Sequence, residues 1–120
     1  MTLERKRIGR QGEEAAAAFL QEKGFRLRER NFRCGLGELD IVAEEGGEIV
    51  FVEVRTRSSN LLGTPQESVD WRKQHRLRRL AAYYLQQKGL AGLPCRFDVV
   101  AVWLDKRGGV ERIELVRGAF

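Results

Sequence analysis

The chain has 120 residues, 42% of them hydrophobic and 32% charged, which suits a single domain (residues 1–120) around one core. No apolar run approaches a membrane span, and no apolar segment follows the basic opening "MTLERKRIGR", so the sequence predicts a cytoplasmic protein with no membrane partner. Lys and Arg number 22 against 17 Asp and Glu, and the resulting +5 charge makes a polyanion a candidate partner, while Cys34 and Cys95 follow no metal spacing and read as reduced thiols.

The segment "GRQGEEAAAAFLQEKG" comes first in chain order. Glu13, Ala16, Ala17 and Leu20 recur at helical spacing, and Gly24 is a stop signal. "FRLRERNFR" alternates apolar and charged residues, predicting a strand with Arg26, Arg28 and Arg30 on one face. Residues 37–45 and 48–57 read as two further strands around "EEGGE". In "TPQE", Thr64 can cap, Pro65 suits the first helical position and Glu67 completes a capping box, predicting a helix from there to about Lys88. "CRFDVVAVWLD" is apolar on both faces and predicts a central strand, parallel to the third after a helical crossover. "GVERIELVRG" alternates again and predicts an edge strand. The order α-β-β-β-α-β-β defines an α/β fold with helices packed on a mixed sheet.

Two carboxylates interrupt the apolar strands of "GELDIVAEEGGEIVFVEVRTR". If Gly46-Gly47 forms a two-residue turn, residues facing each other across the hairpin sum to 93. Asp40 then meets Glu53 and Glu38 meets Arg55, with Phe51 on the same face. Close carboxylates repel, and a divalent cation relieves them. Oxygen donors without His or Cys favour Mg²⁺ or Mn²⁺. The competing reading pairs Glu53 with a neighbouring arginine. Glu13 borders the buried stripe of the first helix and is a candidate third ligand, equally readable as a solvated first-turn glutamate.

"GELDIVA" followed by "VFVEVRTR" resembles the Asp…Glu-x-Lys signature of the PD-(D/E)XK nuclease superfamily, with Asp40, Glu53 and Arg55 at its positions. From "GRQGEEAAAAFL" through "CRFDVVAV" the chain resembles the YraN-like family, regarded by similarity as endonucleases related to Holliday-junction resolvases. The resemblance implies a restriction-endonuclease-like fold and metal-dependent phosphodiester hydrolysis, with duplex, branched or junction DNA as candidate substrates. It also implies a helix glutamate matching Glu13, a homodimer, and no small-molecule cofactor. The superfamily's lysine is Arg55 here. Arginine keeps its proton, so Arg55 can hold a phosphate or stabilise developing charge but not serve as a base. It can also pair with Glu38.

Lys73 and Gln74 are polar residues on the apolar stripe of the second helix, with Leu77, Leu80, Ala81 and Tyr84. Lys73 can thread its amine toward the carboxylates, with Gln74 orienting water or a phosphate oxygen, or it can snorkel to solvent. Arg26, Arg28, Arg30 and Arg57, with the loop "SSNLLG", are candidates to follow a phosphate backbone, whereas Arg72, Arg76 and Arg79 read as a solvated helix face. Trp71 reads as a packing anchor or a base-stacking platform, and Asp98 as a structural carboxylate. Two rival functions stay open: a catalytically inactive DNA-binding module and a protein–protein adaptor with ion-paired carboxylates.

Overall fold

Gly46 and Gly47 take φ of +58° and +83°, the left-handed backbone of a tight hairpin turn, and the hairpin they close sets the register of the sheet. The computed structural model describes residues 3–57 and 64–120, apart from the side chains of residues 4 and 5. Helix α1 (Leu3–Glu22) leads into strands β1 (Arg26–Cys34), β2 (Gly37–Glu45) and β3 (Glu48–Arg57). A short 3₁₀ turn (Gln66–Ser68), helix α2 (Trp71–Gln87) and strands β4 (Cys95–Leu104) and β5 (Val110–Val116) follow. The strands form one sheet in the order β1-β2-β3-β4-β5. Every pair is antiparallel except β3–β4, which is parallel and bridged by α2, as the sequence predicts.

Each face of the sheet carries one helix. Ala16, Ala17 and Leu20 of α1 pack on Ile41, Val50 and Val100. Leu77, Leu80 and Tyr84 of α2 pack on Val42, Phe51 and Phe97. Small residues let α1 lie close: a side chain added at Gly12 would collide with Thr56 of β3. The first helix begins at Leu3, earlier than its apolar periodicity indicates.

The second helix departs further from expectation. Thr64 and Glu67 do form the reciprocal capping contacts, Thr64 Oγ1 donating to Glu67 Oε1 (2.8 Å) and Glu67 N–H to Thr64 Oγ1 (3.3 Å). They cap only the 3₁₀ turn, because Val69 swings into the core in extended conformation and breaks the helical run. Asp70 restarts it, its carboxylate accepting the Lys73 N–H at 2.9 Å.

Two local irregularities decide where charged side chains go. A bulge between Leu27 and Glu29 shifts the β1 register. Arg28 therefore stands with Tyr84 and Lys88 on the α2 face, whereas Arg30 reaches Glu14 of α1, so Arg26, Arg28 and Arg30 do not share one face. Asn31, at φ +55°, lies beside Asp40 at the second. Leu39 joins the α2-side core although Ile41, two residues on, joins the α1-side core. A regular strand would put both on one face. Strand β2 thus turns over at Asp40.

Candidate metal and phosphate site

The hairpin register holds as the sum of 93 requires, from Glu45–Glu48 to Ile41–Val52. There the ladder stops. Asp40 would be the next partner of Glu53, but at the turnover its Oδ2 accepts the Val54 N–H at 2.9 Å. Asp40 and Glu53 still line one cavity, of about 10 Å³, whose other walls are Leu39, Phe51, Val52, Leu77 and Phe97. Such a space holds roughly one water-sized species. Because β2 has left the ladder, Glu38 is not brought opposite Arg55. It pairs with Arg33 at 3.0 Å.

Glu53 is only 6% exposed. Burial among apolar walls, then repulsion from Asp40, pushes its carboxyl up to about 7, against the opposing pull of Lys73 and Arg55. Burial raises Asp40 as well, partly offset by the Val54 hydrogen bond and by Lys73. The Lys73 amine lies 3.4 Å from Glu53 Oε1, and Arg55 Nη2 lies 3.9 Å from the same oxygen. The helical-wheel expectation that Lys73 turns inward is met. Gln74 is placed otherwise: its amide donates to the Val69 carbonyl at 3.0 Å and ties the start of α2 to the 3₁₀ turn.

Glu13 adjoins the pair from the α1 side. Burial and then Asp40 and Glu38 raise its carboxyl. With its amide oxygen and nitrogen exchanged, the orientation that its two acceptor neighbours require, Asn31 donates to Glu13 Oε1 (2.7 Å) and Glu38 Oε1 (3.0 Å). Sequence reasoning missed Asn31. The available signal was an asparagine, tolerant of left-handed backbone, inside a strand. Among the described residues, no three His, Cys, Asp or Glu groups converge as a ready metal cage. The carboxylates gathered here are the Asp40–Glu53 pair, with Glu13 alongside.

The expected phosphate-following arginines are mostly engaged. Arg26 and Arg28 pair with Glu44 at 3.7 and 3.1 Å, and Arg30 pairs with Glu14 at 3.1 Å. The Nε atoms of Arg30, Arg55 and Arg57 are buried without a hydrogen-bond partner among the described residues. The loop "SSNLLG", residues 58–63, lies outside those residues. Trp71 is 71% exposed, so it is no packing anchor; the Arg72 guanidinium lies 5.5 Å from its ring centre. Asp98 is structural, as expected: Arg96 Nε and the Gly118 N–H both donate to its Oδ1 at 3.0 Å.

Fold and site together define an α/β protein with a carboxylate pair and a lysine at the divergent end of its central hairpin. The chain belongs to the group described as "Uncharacterised protein family UPF0102", whose profile matches residues 12–102. It is 65% identical over 120 residues to a UPF0102 protein of Moorella thermoacetica, covering all of both chains. It is 53% identical over 116 residues to one of Pelotomaculum thermopropionicum, covering 97% of each. No helix among the described residues is long and apolar enough to cross a membrane.

Proposed function

We propose that this protein is a divalent-cation-dependent endonuclease that hydrolyses DNA phosphodiesters. The observation that carries the reading is the strained pair itself. Two carboxylates share a cavity of about 10 Å³ with apolar walls, and burial and the charge of its neighbour push one of them up to about 7 despite two nearby cations. An all-oxygen donor set of this kind fits Mg²⁺ or Mn²⁺, which commonly take one or two carboxylates and complete their shell with waters or phosphate oxygens. Asp40 and Glu53 would hold the ion, and Glu13 would support Asp40.

When bound, the cation supplies Lewis acidity toward a phosphoryl oxygen and lowers the pKa of the attacking water. The protein's own groups do the rest. The Lys73 amine, 3.4 Å from Glu53, supplies the cation that the superfamily pattern places at position 55. The Arg55 guanidinium, with its Nε unpartnered, can donate to a non-bridging oxygen as charge develops there. Branched or junction DNA is included among the substrates because of the resemblance to junction resolvases, which also motivates a homodimer.

The test is cleavage of duplex, single-stranded and four-way DNA with Mn²⁺ or Mg²⁺ by the wild type, Glu53→Gln and Lys73→Met. Wild type should cut. Glu53→Gln should lose cleavage and metal binding together, and Lys73→Met should lose cleavage while keeping the fold and metal affinity. Salt-sensitive DNA binding with no cleavage of any substrate would assign a non-catalytic DNA-binding module instead. Full activity in Lys73→Met would remove that residue from the mechanism.

A further inference from the structure

Gly12 packs against Thr56, so its two neighbours on α1 fall to opposite sides of β3. Glu13 goes toward β1, where Asn31 meets it. Gln11 goes toward the β4–β5 turn, where its amide lies against Gly108. On that second side lies a cleft of about 340 Å³, lined by Arg7, Gln11, Lys106 and Arg107 over an apolar floor of Ile8 and Leu104.

The charges of this cleft are unbalanced. Its one carboxylate, Asp105, accepts the N–H groups of Arg107 and Gly109 at 2.9 and 2.8 Å, and so is used to shape the turn. Among the described residues, no carboxylate comes within ion-pairing distance of Arg7, Lys106 or Arg107, unlike the β1 arginines, each of which has a partner. The cations also continue outward, since Lys6 and Arg10 are exposed on the same stretch of α1. A cleft of small-ligand size usually has mostly apolar walls with a few polar groups. This one exposes as much polar as apolar surface, with three cationic side chains among its walls, which suits an anion that stays partly hydrated.

We propose that this cleft binds backbone phosphates of a nucleic acid, at a subsite separate from the carboxylate pair. The inference rests on the nucleic-acid reading above and names a contact surface for it. Phosphates along one strand recur about every 3.4 Å of duplex axis, so a bound nucleic acid can present more than one phosphate to such a cleft. Three cations gathered in one cleft, with no ion-pair partner among the described residues, match a repeating anion better than a single small one. The cleft, rather than β1, thus provides the sequence-independent contacts.

The experiment is fluorescence anisotropy of a labelled short duplex, titrated with protein in EDTA across a range of salt. Without metal, cleavage plays no part in the result. Lys106→Gln/Arg107→Gln is compared with Lys23→Gln/Arg79→Gln, which removes the same charge from exposed positions elsewhere. The cleft variant should bind more weakly and its log–log salt slope should fall by about 2, at roughly 0.9 for each phosphate that is no longer neutralised. The control should keep the wild-type slope. Equal weakening in both variants would mean that net charge alone matters, and would overturn the cleft. Absence of any salt-dependent binding by wild type would overturn the nucleic-acid reading and the cleft with it.

Discussion

Two carboxylates on neighbouring central strands, one residue apart in register and on opposite faces of the sheet, are buried in opposite ways. Asp98, fully buried beside Val52, is met by the Arg96 guanidinium and the Gly118 N–H. Arg96 is itself held by Glu45 and Glu48, and Arg117 closes the cluster on Glu45. Glu53 faces the α2 side with Asp40 for a neighbour, and Lys73 and Arg55 reach it only at 3.4 and 3.9 Å. Burial is common to both; compensation is not. The difference separates a carboxylate that serves the fold from the one to which the proposed function assigns a cation.

The largest expected effect comes from breaking the compensated side. Arg96→Met should leave Asp98 as an unpaired buried charge and cost about 3 to 5 kcal/mol, measured by urea denaturation. A cost below about 1 kcal/mol would mean that Arg96 is not what makes Asp98 tolerable. The second effect completes the other side. Mn²⁺ at one hundred times its Kd should stabilise wild type by about 2.7 kcal/mol, and Asp40→Asn and Glu53→Gln should lose the increment. Equal stabilisation of both variants would place the ion elsewhere.

A third effect is read in pH, without metal. The Glu53 carboxyl is raised from 4.5 to about 7 on folding, so the native state holds its proton more tightly than the unfolded chain. Its contribution is therefore full below about 4.5 and is lost as pH rises through about 7. The stability difference between wild type and Glu53→Gln should decline over that window by on the order of 2 kcal/mol. Glu45 cannot mimic this. Hydrogen bonds from Arg117 and Arg96 lower it to about 2, so its contribution is lost only as the solution becomes acidic below 4.5. A difference curve that rises with pH would refute the assignment.

Much of this contrast is legible in the sequence. Gly46-Gly47 fixes a register that puts Asp40 near Glu53, and helical spacing turns Lys73 inward. Alternation fails where the backbone leaves its period. Nothing in "RLRER" marks Arg28 as the bulged residue, since either arginine tolerates either face. The turnover at Asn31 and Asp40 comes from tertiary packing, which draws Phe32 and Leu39 to the α2 side. Two cap signals compete for the second helix: Thr64 with Glu67, and Asp70. The second prevails because Val69 gains more by burial than by continuing a helix. The cleft at Arg7 and Lys106 joins segments about a hundred residues apart, which no local pattern announces.

The smallest expected effect is the most discriminating. In Asp40→Asn the side-chain oxygen can still accept the Val54 N–H, so the turnover of β2 should survive with a stability change within about 1 kcal/mol. What should move is the Glu53 carboxyl, followed by its ¹³C shift against pH. Burial is the first cause of its elevation and Asp40 the second. Removing the Asp40 charge should therefore lower it from about 7 yet leave it above the ordinary 4.5. No movement would show that the two carboxylates do not sense each other, and the case for a shared cation would lose its basis. A fall all the way to 4.5 would assign the whole shift to repulsion. Burial would then contribute nothing at Glu53, and the contrast between the two faces of the sheet would rest on the Asp40 charge alone.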